Sequence, residues 1–179
     1  GSEEKALEAM EYMRAEVRKA GFPNMHYMMM DGGGFPFNEK NQARVDKRMF
    51  LKPDSWALYN MGGFDPDYMR HCQNAMDFRA EWDEYMSIPV FPTVSIGWDD
   101  TPRFPAKGEN DVTRFNHSPE AFKNYLFEAK KYADEHPEQP KFVMINAWNE
   151  WVEGSYLLPD KYWGYAWLEA VRDVFGPVE

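Results

Sequence analysis

Lys141 to Ala147 reads KFVMINA, and Trp148 to Gly154 continues it as WNEWVEG. The first seven residues form a short apolar run, with Pro137 and Pro140 before it and a polar, aromatic stretch after it. That is the pattern of a buried strand. Working outward, three further runs share it: Ile88 to Ile96 (IPVFPTVSI), Ser55 to Asn60 (SWALYN) and Asn24 to Met30 (NMHYMMM). Pro89 and Pro92 weaken the first of these, because each removes a ladder donor. Helical patterns separate the runs. Glu3 to Ala20 carries Ala6, Leu7, Met10, Met13 and Val17 at helical spacing and is stopped by Gly21 and Pro23. Asp65-Pro66 starts a helix reaching Met86, and Ser118-Pro119 starts one reaching Glu135. Asp160 caps a last helix, Lys161 to Phe175, which Gly176-Pro177 ends. Asp31 to Arg48 and Gly97 to Asn116 read as loops, and Gly62-Gly63 as a break.

Helices alternating with short apolar strands predict an α/β fold with a parallel sheet covered by helices. Long loops follow the strands and short ones follow the helices. βα barrels build their active sites on the loops after the strands. The 179 residues hold four such strands, whereas a complete eight-stranded βα barrel takes about 250 residues.

Composition narrows the function. With 44% hydrophobic residues the chain can form a core. A formal charge of -10 argues against nucleic acid and against an anionic membrane surface as partners. The single cysteine, Cys72, can form neither an intramolecular disulfide nor a thiolate cage. His71, His117 and His136 have no ligand-like spacing, so neither metal nor cofactor is expected. The glycines Gly32 to Gly34 lack the lysine and hydroxyl residue of a phosphate loop. His26 and Tyr27 lie in an apolar run, where a hydrogen-bonded core histidine is the ordinary case. The twelve methionines read as core filler. No apolar run approaches the roughly 20 residues that span a bilayer. Gly1-Ser2 reads as an expression scar, with the natural N-terminus expected upstream. A periplasmic or secreted location is favoured over a cytoplasmic one.

Chemistry concentrates in Asn146 to Gly154, which places two carboxylates, two amides and two indoles in nine residues after the strand of KFVMINA. One reading makes Trp148 and Trp151 core residues and the glutamates solvated. The other makes the stretch a sugar site. Glycoside cleavage uses one carboxyl to protonate the leaving oxygen and a second as nucleophile or base. Indole faces stack on sugar C–H surfaces, and Asn146 and Asn149 can hydrogen-bond hydroxyls. Glu150 and Glu153, three apart, face opposite sides of a regular strand. They reach one pocket only if the strand has ended and the chain turns, and Gly154 suits such a turn. Asp99 and Asp100 follow another strand end, as substrate contacts or as turn formers. Arg103 is placed to bind substrate or to pair with those aspartates. Tyr156 lines the pocket or caps its rim, and Tyr59 and Asn60 end the second strand on the same functional face.

INAWNEWVEGSYLLPDKYWGYAWLEAV resembles the C-terminal signature of glycoside hydrolase family 99-like domains, which include the WbsX-type proteins of bacterial polysaccharide gene clusters. Asn149 to Gly154, NEWVEG, resembles the NEWxEG motif of the endo-α-mannosidases, and Gly97 to Arg103, GWDDTPR, resembles a second WbsX-type segment. The resemblance covers residues 88–175. It implies a (β/α)8 barrel and retaining α-glycosidase chemistry, with Glu150 as the base on the sugar 2-hydroxyl and Glu153 as general acid/base. Substrate contacts are expected, from residue type and strand-end position, from Trp148, Asn149, Trp151, Tyr156, Asp99, Arg103 and Asn60. Val152 stands where endo-α-mannosidases have histidine, and so sides with the WbsX type.

Three functions follow as expectations. The first is a hydrolase of α-linked glycans, such as an α-mannoside or another bacterial or host polysaccharide. The second is a glycosyltransferase of O-antigen-type polysaccharide synthesis, which would need basic residues grouped near a strand end for a nucleotide sugar. The third is a non-catalytic carbohydrate-binding fragment. Residues 3–179 are expected to be one domain, the C-terminal half of a TIM-type barrel with about four βα units. Its exposed edges call for the other half of the barrel, from another chain or a second copy.

Overall fold

In the computed structural model, residues 1–31, 37–60, 65–105, 112–113 and 115–176 are described. The elements run α1 (Ser2–Lys19), β1 (Met28–Asp31), α2 (Glu39–Asp46), β2 (Ser55–Leu58), α3 (Tyr68–Tyr85), β3 (Val90–Phe91), β4 (Thr93–Ser95), α4 (Pro119–Glu135), β5 (Met144–Asn146), β6 (Asn149–Glu150), β7 (Ser155–Tyr156) and α5 (Ala166–Phe175). Two 3-10 turns, Met49–Leu51 and Trp151–Glu153, complete them.

The strands β1 to β5 pair in parallel and in chain order. Met28 to Asp31 lie opposite Ser55 to Leu58, Trp56 and Ala57 opposite Val90 and Phe91, and Thr93 to Ser95 opposite Met144 to Asn146. The run Ile88 to Ile96, expected as one strand, is divided at Pro92. Proline has no N–H to donate, so the first half pairs with β2 and the second with β5. The Thr93 hydroxyl donates to the Leu58 carbonyl at 2.7 Å and carries the contact to β2 past the proline.

Alternation along the strands sets two faces. Trp56, Leu58 and Val90 join Val45, Ala75 and Trp82 in one buried cluster under α2 and α3. Val94 and Ile96 join Tyr68, Cys72, Phe122, Leu126 and Trp167 in a second, under α3, α4 and α5. Ala57, Phe91, Thr93, Ser95 and Asn146, also buried, occupy the opposite face. Each fully buried Leu, Ile, Val or Phe contributes roughly 1.5–3 kcal/mol, so these clusters hold the sheet against its helices.

Several boundaries differ from the sequence reading. Part of the expected loop after β1 is helical. Asn38 caps α2, its side chain accepting from the Asn41 N–H at 3.0 Å, and Val45 is drawn into the core. Asp67, not Asp65, caps α3; Asp65 accepts from the Asp67 N–H instead. The last helix starts five residues late. The Asp160 carboxylate accepts from the N–H groups of Tyr162 and Trp163 in a separate turn that closes on Gly164, and α5 begins at Ala166. Strand β1 begins only at Met28, and His26 is exposed, although its Nε2 lies 2.8 Å from the Ser55 hydroxyl. Met10 is buried and Met29, Met49, Met76 and Met86 pack against the two clusters, whereas Met13, Met30 and Met69 are exposed. Gly32 to Gly34, Gly62-Gly63, residues 106–111 of the loop before α4, and Pro177 lie outside the described residues.

Candidate active site

Strand β5 ends at Asn146, and the chain then forms a small hairpin, with Asn149 opposite Tyr156 and Glu150 opposite Ser155. Between the two short strands lies the 3-10 turn Trp151–Glu153, closed by Gly154 at φ +59°. Glu150 precedes this turn as its N-cap and Glu153 is its last residue, so the two are not related by the alternation of a continuing strand. The Tyr59 phenol reports on both: burial pushes it up first, followed by the charges of Glu153 and Glu150.

Glu153 is the buried member of the pair, at 8% exposure, whereas Glu150 is half-buried. Both Glu153 carboxylate oxygens are engaged. Oε1 accepts from Arg103 Nη1 at 2.8 Å, and Oε2 accepts from the Tyr59 hydroxyl at 3.3 Å. The Glu153 backbone carbonyl accepts from the Asp99 N–H at 2.7 Å. Three strand ends thus converge on one residue: Tyr59 follows β2, Asp99 and Arg103 follow β4, and the turn itself follows β5.

Small residues permit this convergence. A Cβ on Gly154 would lie 2.9 Å from Asp99 Cβ. One on Gly97 would lie 2.8 Å from His117 Nε2. The His117 ring contacts the Ile96 carbonyl and stacks on Trp167 at a centroid distance of 5.0 Å. Beneath the turn, the Ser155 hydroxyl spans 2.7 Å to both the backbone carbonyl and the Oδ1 of buried Asn146. Ser95 Oγ reaches the same Oδ1 at 3.4 Å. Asn146 Nδ2 stays buried without a hydrogen-bond partner among the described residues.

The other residues singled out in the sequence divide. Trp148, Trp151 and Asn149 are exposed on the hairpin, so the indoles are not core. Trp151 stacks on Tyr156 at 4.0 Å and 24°, and the Tyr156 hydroxyl donates to Asp160 at 3.0 Å. One face of the Trp151 ring is thereby used inside the protein. Asp99 accepts from the Thr101 N–H and hydroxyl, closing its own turn. Asp100 is buried. Arg103 pairs with Glu153, not with the neighbouring aspartates. Asn60 is 3% exposed, and neither amide atom has a hydrogen-bond partner among the described residues. Sequence reasoning missed the carboxylate Asp31, buried at the end of β1 and paired with Arg44 and Arg48 at 2.9 and 2.6 Å. The cue was the i, i+4 arginine pair, legible only once the segment is known to be helical.

Among the described residues no group of three histidine, cysteine or acidic side chains is set to hold a metal ion. Cys72 is buried, and burial pushes its thiol up to about 12. No helix among the described residues is long and apolar enough to cross a membrane.

Comparison with known proteins agrees with the motifs. An "Uncharacterized protein WxcX" of Xanthomonas campestris pv. campestris, in strain B100 and in a second strain, is 39% identical over 84 residues. That match takes in 46% of this chain and 12% of the length of those relatives. No solved structure matches. The family described as "Glycosyltransferase WbsX" matches residues 2–171, and with nearly the whole chain inside that match, the protein belongs to this glycan-processing family.

Proposed function

We propose that the chain carries the catalytic centre of a retaining hydrolase of α-linked glycans. The observation that carries this reading is the turn between Glu150 and Glu153 at the strand ends, where both charges act on the Tyr59 phenol and Glu153 is buried and held on both oxygens. Glu150 takes the proton of the sugar 2-hydroxyl as that oxygen attacks C1. The C1 bond to the leaving oxygen breaks, and Glu153 gives that oxygen its proton. Water then attacks C1 and loses a proton to Glu153, while the 2-oxygen leaves C1 and recovers its proton from Glu150. These two carboxyl roles follow from the family 99 resemblance and from general glycosidase chemistry. The exposed face of Trp151 and the ring of Trp148 supply stacking surface for neighbouring sugar units.

The family's printed description favours a second reading, a glycosyltransferase. A nucleotide-sugar donor needs cations free to meet its phosphates. Among the described residues, the guanidinium groups at these strand ends are bound to carboxylates: Arg103 to Glu153, and Arg44 and Arg48 to Asp31. That supports hydrolysis. A merely glycan-binding fragment would have no use for a buried, clamped glutamate. The test is a screen of activated aryl α-glycosides and of nucleotide sugars with an acceptor, using wild type, Glu150→Gln and Glu153→Gln. Hydrolysis lost in both variants is expected. Full activity in both, or sugar transfer alone, overturns the reading.

We further propose that the parallel strands form the C-terminal half of a (β/α)8 barrel. Strand β1 pairs only with β2, and β5 only with β4, among the described residues. Both outer edges are therefore open, and the other half, from another chain or a second copy, would cover them. A monomer in solution with all of its strand edges protected from amide exchange would overturn this.

A further inference from the structure

We propose that Tyr59 is a positioning residue that holds the Glu153 carboxyl in one place in both of its protonation states; the proposal rests on the acid/base role given to Glu153 above. An acid/base must alternate between carboxylic acid and carboxylate, and its partners must suit both. Arg103 has only donors to offer, so its contact with Oε1 serves the carboxylate. A phenol is both donor and acceptor. When Glu153 is ionised, the Tyr59 O–H donates to Oε2, the arrangement seen at 3.3 Å. When Glu153 carries its proton on Oε2, that O–H donates to the Tyr59 oxygen across the same gap. No heavy atom has to move.

The seat of Tyr59 is firm. Its N–H donates to the Asp31 backbone carbonyl at 2.7 Å, a bond that does not involve the Asp31 carboxylate. The carbonyl of the preceding Leu58 accepts from the Thr93 hydroxyl. Burial and the two glutamate charges push the phenol up, which keeps its proton in place around neutral pH. Tyr59 and Glu153 stand 94 positions apart in the chain, so only the sheet brings them together.

The test is a carboxyl titration that needs no substrate. The full chain is labelled with carbon-13 at the glutamate side-chain carboxyls, and Glu153→Gln assigns the Glu153 resonance. The phenol's bond to the carboxylate is charge-assisted and stronger than its bond to the neutral acid, so losing both favours the acid. Tyr59→Phe should therefore raise the Glu153 midpoint by about half a pH unit or more, and that of Glu150 by less. A fluorotyrosine placed at position 59 keeps the shape and donates more strongly, so it should lower the midpoint; it also serves if Tyr59→Phe fails to fold. A Glu153 midpoint unmoved by the substitution that folds overturns the proposal. The parent reading is checked separately on phenyl and 2,4-dinitrophenyl α-glycosides. A fall in kcat/KM of Glu153→Gln confined to the phenyl substrate, with kcat lowered on both because water loses its base, supports the acid/base role. Full activity on both overturns that role, and with it the catalytic meaning of the clamp, whatever the titration shows.

Discussion

Asp31 and Glu153 are both buried carboxylates at the strand ends, and both meet arginine, yet their surroundings differ. Asp31 lies in register with Leu58 and shares its side of the sheet, facing the helices. Its partners Arg44 and Arg48 come from the segment just after β1, and the first is only 13 positions away. Glu153 draws Arg103 from 50 positions away and Tyr59 from 94, each from the end of a different strand. A carboxylate saturated by its own neighbourhood ties a helix to a strand. One shared among several strand ends is placed where substrate can reach it. A buried ion pair alone does not distinguish the two cases; where its partners come from does.

The largest effect that could break this comparison is catalytic. Glu153→Gln is expected to lower glycan turnover by about 10²- to 10⁴-fold with little change in thermal stability, whereas Asp31→Asn should leave turnover within a few-fold. Turnover and melting temperature measured on both variants decide it, and the reverse pattern would sink it. The same Asp31→Asn substitution removes the shared anion of two partly exposed guanidinium groups. Chemical denaturation should show a loss of about 1–3 kcal/mol.

Gly154→Ala sharpens the contrast, because it touches only the Glu153 side. The left-handed backbone costs a non-glycine residue roughly 1–2 kcal/mol, and the new Cβ would press on Asp99. Turnover should fall with the turn, and denaturation should show about that loss; wild-type turnover in Gly154→Ala would mean that the turn is not required.

A pH effect is expected close to the site. Burial holds His117 below its ordinary value, outweighing its bond to the Ile96 carbonyl. The unfolded chain takes up a proton near pH 6.5, while the folded chain resists it. The contribution of His117 is therefore present above pH 6.5 and is lost as pH falls below it. Stability curves of wild type and His117→Gln should converge toward pH 5, and parallel curves would refute this. The smallest effect belongs to Trp151→Ala. It removes a stacking surface worth about 0.5–1.5 kcal/mol, so glycan KM should rise a few-fold with kcat retained.

Legibility varied along the chain for physical reasons. Helix α4 was placed to the residue because Ser118 and Pro119 supply both halves of a local start signal, a cap and a preset φ. Helix α2 went unread because eight residues show little more than two turns of periodicity, and its one buried residue, Val45, is legible only against the sheet. Asp160 misled, since an aspartate that closes a turn and one that caps a helix look alike in sequence. At the site, Glu150, Glu153 and the need for a turn between them were legible from composition and spacing. Tyr59 was visible only as a strand-end residue, and the partner of Arg103 was not visible at all.

Local matters are legible in the residues alone: which runs are apolar, which residues start and stop helices, and the family to which NEWVEG and GWDDTPR point. These depend on residues within a few positions of one another. It takes the folded sheet to divide one strand between two neighbours at Pro92, to give Asp31 to a helix, and to grip Glu153 with Arg103 and Tyr59. Those outcomes rest on parallel pairing, which sets side by side residues far apart in the chain, and no local pattern encodes a partner 94 positions away.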